Sequence, residues 1–577
     1  MKLVIRQYLA SLKERRELDA LLPDLLSQMG LEVFLKPSVG SRQYGVDVGA
    51  FGKLSSESES KVYLFSVKSG DLDRRDWDSK PQDLRPSINE IIDVFIRTRI
   101  PAEYKERPVE ICLCFGGEVK EEVRANISMF LDKLKTDDLS LSEWNGDRLA
   151  DLIEQHMLRE ELLPKNCRGL LRKSLAMIDE PEVSFKHFSQ LAISLTCTDD
   201  KKPKDILTGI RQLYLCLWIL YSWCRDEDNL ESAYLSAEFT LLNAWEAAKF
   251  SFDKQNKVAA STLTTLDSIL RLNLQISNQY IEEKIIPHCN SLYAISHAVR
   301  PSCATDVNLK LFDVLGRLAL TGCWSHWRLD QVSEKDVEVG KFFSEAVAKY
   351  QDSIKQLIVN NPILFTPCKD EQAIDLVLAL WFLSLNHKHW RDINSWLSDM
   401  SREIYRMFKV SDKYPTTIQS YAELIEHPVD KTDEYKKNVT KGSILYPYIS
   451  AFSAIMGFSE PYEIVKKIKE EFLPHCNFQV YFLDESSEDH FYRFDKMHGA
   501  TLSNVCVTEK PGELIKQLVS ECDQSNKVYD MSAFRHWPII LTGCRHYRLP
   551  IPMHFIIDIY KRRNEHESES NYEIEGA

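Results

Sequence analysis

The hydrophobic period of the chain changes near residue 161, and no other feature constrains its fold as tightly. Before that point, strand-like runs such as "KVYLFSVK" at 61–68 and "VEICLCFGG" at 109–117 alternate with segments of helical spacing. Period two and period 3.6 mixed in this way predict an α/β domain. After it, long amphipathic segments such as "ILTGIRQLYLCLWILYSW" and "AIDLVLALWFLSL" follow one another and strand patterns nearly vanish. The expected fold class is therefore α+β/α multidomain. An N-terminal α/β/α domain over 1–160 and a linker over 161–180 are followed by a large all-α region over 181–560, in one or two subdomains, with a disordered polar tail over 561–577. A chain of 577 residues also exceeds what one hydrophobic core normally holds.

Within the first domain, Leu18, Leu21, Leu22, Leu25, Leu26 and Met29 recur at helical spacing until Gly30, and Pro23 predicts a kink or a late start. Three short strands follow, "LEVFLKP", "YGVDV" and "KVYLFSVK", with the polar "KLSSESES" as a hairpin loop between the last two. A loop then leads to a helix over about 87–99. The strand at 109–117 is apolar on both faces and so predicts a central place in a sheet. A helix around 119–135 comes next, and the Asn-Gly of "LSEWNGDRLADLIEQHM" turns the chain into another.

Composition excludes several classes. Hydrophobic content of 44% and charged content of 27% are those of an ordinary folded protein, not a disordered one. The longest apolar run, 213–224, is short of the roughly 20 residues a bilayer requires, so no membrane partner is expected. The first residues show no apolar core of a secretion signal, and the fourteen cysteines contain no CxxC pair. Together these predict reduced thiols and a cytoplasmic protein. The net charge is −14, and residues 1–160 hold 24 Lys and Arg against 29 Asp and Glu. Any nucleic-acid contact must therefore come from a local basic patch.

One lysine demands an explanation. Lys68 closes a strand built for a core, and a half-buried ammonium is costly unless its charge is compensated. Asp47, in "YGVDV" on the preceding strand, is the candidate partner. A helix ending in glycine, a strand with Gly-x-Asp, a hairpin, and a strand closing on x-x-Lys resembles the catalytic core of the PD-(D/E)XK, or restriction-endonuclease-like, nucleases. The helix "LDALLPDLLSQMGLEV" is similar to that of Mrr-like members, and "ICLCFGG" and "WNGDRLADLI" are similar to nuclease domains of bacterial antiphage systems. The resemblance covers about residues 10–160.

The resemblance implies a metal-dependent DNA endonuclease using Mg²⁺ or Mn²⁺, acting as an antiphage effector. A divalent cation neutralises charge on the phosphorane and lowers the pKa of the attacking water, and magnesium wants hard oxygen ligands. It assigns Asp47 and the Val67 carbonyl to the metal and Lys68 to the water and transition-state charge. The second acid of the family falls on Ser66, whose hydroxyl is a weak ligand. A replacement acid would come from Asp19, then Glu17, on the preceding helix, or from Glu90 on the following one. Arg74, Arg75 and Lys80 in "DRRDWDSK" are candidate phosphate contacts, although aspartates interleave them.

A rival class is a catalytically inactive nuclease-fold scaffold for protein partners, in which Asp47 and Lys68 are a structural ion pair. Ser66 and the negative net charge favour it. Cys323 with His326, and Cys544 with His546, have zinc-compatible spacing but lack a matched second pair, so core packing is expected of them. Trp218, Trp223, Trp245, Trp381 and Trp390 lie among leucines at helical spacing and are expected in cores. No phosphate-binding GxxxxGK[ST] motif occurs. The helical region is expected to restrain or position the nuclease through a protein partner or homo-oligomerisation. Two phrases recur without a fixed period, "PHCN" at 287–290 and 474–477 and "LTGC" at 320–323 and 541–544.

Overall fold

The computed structural model describes residues 5–6, 9–10, 12, 18–37, 43–54, 57, 59–78, 83–136, 138–156, 165–198, 202–299, 301–333, 335–484, 487, 491–492, 502–507, 510–525 and 536–575. By internal contacts the chain divides into two compact units, 1–272 and 273–577.

The first unit begins with the mixed order expected from the periodicity: α1 Asp19–Gln28, β1 Glu32–Leu35, β2 Val48–Gly52, β3 Lys61–Lys68, α2 Arg74–Asp78, α3 Leu84–Glu90, β4 Val109–Phe115, α4 Glu121–Leu134, β5 Leu139–Trp144 and α5 Gly146–His156. A wider π-type turn, Ile91–Phe95, extends α3 to Thr98. The sheet order is β1-β2-β3-β4-β5; the first three strands are antiparallel, and β3, β4 and β5 run parallel. Every residue of β4 is buried, because helices cover both faces of a central parallel strand.

Side chains alternate between two cores. Val62 and Leu64 of β3 and Ile111 and Leu113 of β4 pack with Trp77, Ile88, Phe95 and Val123 from α2, α3 with its π-type extension, and α4. On the other face Phe65 meets Trp144 edge to face, 4.9 Å between centroids, worth about 0.5–1.5 kcal/mol beyond burial. The one carboxylate inside β4, Glu110, is held by the Ser142 hydroxyl at 2.6 Å and by Lys61 Nζ at 3.4 Å.

Helices complete this unit: α6 Lys165–Ala176, α7 Pro181–Thr196, α8 Pro203–Asp226 and α9 Glu231–Ala248. Residues 161–180, expected as a linker, therefore carry α6, whose Cys167 and Leu171 are fully buried. An electrostatic contact also crosses residue 160. Asp24 of α1 is half-buried near Arg211 of α8; desolvation raises its carboxyl pKa and the guanidinium opposes that rise.

The second unit contains α10 Ala304–Asp330, α11 Val337–Asn360, α12 Ala373–Ser384, α13 Trp390–Arg406, α14 Asp433–Val439, α15 Leu445–Met456, α16 Pro538–Tyr547 and α17 Met553–Glu575, besides other helical segments, among them Ser459–Glu471 and Pro511–Ser525. To the helical texture the structure adds a small sheet of β6 Gly442–Ser443, β7 Asn477–Tyr481 and β8 Leu502–Asn504. The strands are too short for a period-two signal to stand out. The polar segment 561–577, expected to be disordered, is helical to Glu575, and an Asp558–Arg562 pair 2.7 Å apart supports it one turn along.

The repeated "LTGC" phrases lie on α10 and α16 and meet: Trp324 Nε1 donates to Thr542 Oγ1 at 3.2 Å, and Cys323 and Cys544 are both fully buried. They are packing surfaces. Beside them runs a buried ionic chain, in which Arg317 and Arg545 reach Asp313, and Arg548 reaches Asp375 at 2.8 Å. Gly316 admits Asp375, whose Oδ1 would lie 2.0 Å from any Cβ there. Trp218, Trp245 and Trp381 are core residues; Trp223 and Trp390 are half-buried.

Candidate active site

The turn into β2 is tight. Tyr44 and Gly45 take left-handed φ values of 51° and 81°, and a Cβ at Gly45 would come within 2.4 Å of the Ser87 carbonyl oxygen on α3. Only glycine tolerates both demands. This turn sets Asp47 where β2 and β3 part, since their paired register begins at Val48 with Phe65.

Asp47 bridges the fork with both backbone and side chain. Its N–H donates to the Phe65 carbonyl at 2.8 Å, and its Oδ2 accepts from the Val67 N–H, also at 2.8 Å. The carboxylate thus replaces the strand partner that β3 loses there, one residue before Lys68. Both Asp47 and Lys68 are half-buried, and Ser66 is buried. Alternation along β3 puts Ser66 and Lys68 on the face that carries Leu64. Val67 pairs with Cys114 of β4. The Cys114 thiol is pushed up chiefly by burial and further by the Asp47 charge. The carboxylate therefore sits at the strand margin, hydrogen-bonded to the backbone between the two faces.

Lys68 stands at the carboxyl end of the parallel strands, the end at which open α/β sheets bind ligands. The loops there are tied together: Gly117 N–H donates to the Gly70 carbonyl, Gly146 N–H to the Gly117 carbonyl, and Glu118 N–H to Asp71 Oδ1, each at 2.9 Å.

Of the expected second acids, Asp19 lies in the first turn of α1, half-buried, close enough to Tyr214 of α8 to help raise that phenol, after burial and Asp24. Glu90 ends α3, three residues beyond the Ser87 that touches Gly45. Glu17 lies outside the described residues. Among the described residues no three Asp, Glu, His or Cys side chains gather as a metal-binding group. The described donors at the fork, one carboxylate beside a serine hydroxyl, do not by themselves complete a magnesium site. The Cys/His pairs of the second unit form no such group either.

The basic loop is more ordered than its composition suggests. Asp73 Oδ1 accepts from the N–H of Arg75 at 2.7 Å and Asp76 Oδ2 accepts from the N–H of Asp73 at 3.2 Å, which caps the single turn of α2. Trp77 anchors that turn edge to face on Phe130, 5.4 Å away. The Arg75 side chain bonds Asp73 at 3.0 Å and holds that carboxyl down to about 2. The N–H of Arg74 points to Glu122 at 3.4 Å. Lys80 lies outside the described residues.

Sequence reasoning missed Arg148. From α5 its guanidinium lies 4.4 Å over the Trp144 ring and donates to the Glu143 carbonyl at 3.1 Å. Its charge opposes the burial-driven rise of both the Cys112 and Cys114 thiols. The available signal was a tryptophan four residues before an arginine at a helix start.

Comparison with known proteins gives no matching family model, no matching curated protein and no matching solved structure.

Proposed function

We propose that the α/β part of the first unit is a metal-dependent DNA endonuclease, with Asp47 and Lys68 as its catalytic pair. The observation that carries this reading is the fork: the Asp47 carboxylate is hydrogen-bonded to Val67 N–H, one residue from Lys68, at the carboxyl end of a mixed sheet. A carboxylate held at the backbone next to a strand-end lysine suits metal binding and stabilisation of a phosphorane. The reading requires Mg²⁺ or Mn²⁺, and a second acid drawn from Asp19, Glu17 or Glu90. By its resemblance to antiphage nuclease domains the protein is assigned as a cytoplasmic defence effector, with the helical regions restraining it through a protein partner or a second copy.

The test is incubation of plasmid DNA with the full chain and Mg²⁺ or Mn²⁺, beside Lys68→Ala. Nicking by wild type and none by Lys68→Ala is the expected result; equal nicking by both defeats the proposal. A second reading, an inactive nuclease-fold scaffold, is favoured by Ser66 in the acid's place and by the incomplete donor set. It expects no metal-dependent cleavage from either protein.

A further inference from the structure

Two histidines hold helix α14 from outside it. The helix has seven residues, none of them buried, and Thr432 caps it by accepting from the Tyr435 N–H at 3.3 Å. From its middle, the Tyr435 hydroxyl lies 3.0 Å from Nδ1 of His427. At its end, the Thr440 hydroxyl donates to the Lys436 carbonyl at 2.6 Å and so accepts from Nε2 of His475 at 2.9 Å. Other ties are the Thr417 N–H, which donates to the Val439 carbonyl at 2.9 Å, and the Lys436 ammonium, 5.3 Å from the centroid of the Phe472 ring.

Both imidazoles lie among ammonium groups. His427, only 6% exposed, meets the Tyr414 ring edge to face at 4.9 Å between centroids, and the Lys436 ammonium lies 5.9 Å from the same ring. His475 sits in a turn whose flanking carbonyls, those of Pro474 and Cys476, accept from the Lys469 ammonium at 3.3 and 2.6 Å. Burial holds both rings below the ordinary 6.5; Lys413 adds to this at His427 against the Tyr414 backbone and Asp412, and Lys436, Lys437 and Lys469 add to it at His475 against Asp433. A tyrosine or threonine hydroxyl can accept from a protonated ring, so the hydrogen bonds alone do not forbid the proton. Its cost is that of taking a charge out of water and setting it beside like charges. Docking of α14 is therefore intact above the ordinary 6.5 and weakens as pH falls below it, because released histidines bind protons that docked ones refuse.

We propose that α14 is an acid-released element of the second unit: His427 and His475 hold it while neutral, and their protonation beside Lys413, Lys436, Lys437 and Lys469 loosens it. This device does not rest on the nuclease reading.

The test is amide hydrogen exchange of the full chain, read by mass spectrometry over peptides within 429–441 and divided by the intrinsic exchange rate at each pH. Between about pH 7.5 and about pH 5.5, protection of α14 should fall at least about fivefold in wild type, while the buried helix α12 keeps its protection. His427→Gln combined with His475→Gln keeps side chains that hydrogen-bond but cannot take a proton, and should hold protection within about twofold over the same range. Lys437→Gln, at an exposed position, should lessen the fall by removing a like charge. Where the double variant leaves α14 unprotected already at the higher pH, His475→Gln alone must lessen the fall. Equal protection of wild type at both pH values overturns the proposal, and so does a fall in the double variant, or in His475→Gln where that variant decides, as large as in wild type.

Discussion

Replacing Asp47 separates its structural duty from its chemical one. The carboxylate satisfies the N–H of Val67, a residue that is fully buried. A hydrogen bond to a charged acceptor contributes about 1.5–3 kcal/mol, and an orphaned buried N–H costs about 1–3 kcal/mol. Asp47→Ala should therefore lose roughly 1.5–3 kcal/mol, a fall of about 3–10 °C in the transition of the first unit. Asp47→Asn keeps a carbonyl oxygen at the same place and should stay within about 1 kcal/mol of wild type. Calorimetric unfolding of the three proteins reads this difference, and plasmid cleavage reads the other: Asn, lacking the anion, should be as inactive as Ala. If Asp47→Ala melts with wild type, the fork hydrogen bond does not carry β3. If Asp47→Asn is stable and cuts normally, the residue is structural alone and the proposed site is wrong.

Lys68→Ala should abolish cleavage and shift stability by less than about 1 kcal/mol, since the side chain is half-buried at a strand end; a large loss of stability with activity retained would reverse that assignment. Asp375→Ala should cost about 3–5 kcal/mol in denaturant titrations, because it strands the partly buried Arg548 that now reaches it at 2.8 Å, and a loss under about 1 kcal/mol contradicts the buried chain. Burial opposes ionisation of Asp313, yet Arg317 and Arg545 hold its carboxyl below its ordinary 3.8. Its contribution is thus present above about pH 3.8 and lost as pH falls through its folded value. Asp313→Asn should flatten that acid limb of the stability curve, and an unchanged limb refutes the linkage. A fragment of residues 1–272 should unfold cooperatively, whereas one ending near 165 should not, because it bares the surface where Asp24 faces Arg211. Tandem circular dichroism melts decide it, and a cooperative short fragment would restore the boundary at 160. If the helical regions restrain the nuclease, the longer fragment should also cut with less control, and Lys68→Ala within it should be harmless to cells.

How much could be read in advance depended on whether the relevant partner was near in sequence. Most of the order of elements through His156 was legible because burial imposes period two or 3.6 on each segment separately, but the single helical turn Arg74–Asp78, read as loop, was too short to show a period. The pairing of β2 with β3, the strands beside Asp47 and ending on Lys68, was legible too, since the hairpin loop fixes which strands pair. The glycine of Gly-x-Asp was read as part of a strand, whereas Tyr44 and Gly45 form a turn ahead of Val48, and its closeness to Ser87 was not legible because α3 arrives some forty residues later. Period tells which face of an element is buried and says nothing of what buries it. That is why the division at 272/273, the packing of α6 into the first unit and the contact of the two "LTGC" phrases belong to tertiary structure alone. The same holds for Asp73, which reads as a stray charge in a basic loop until the backbone N–H groups it caps come into view. A charged or aromatic side chain acquires its role from groups brought to it by folding, and those groups, unlike the apolar stripe of a helix, leave no periodic trace along the chain.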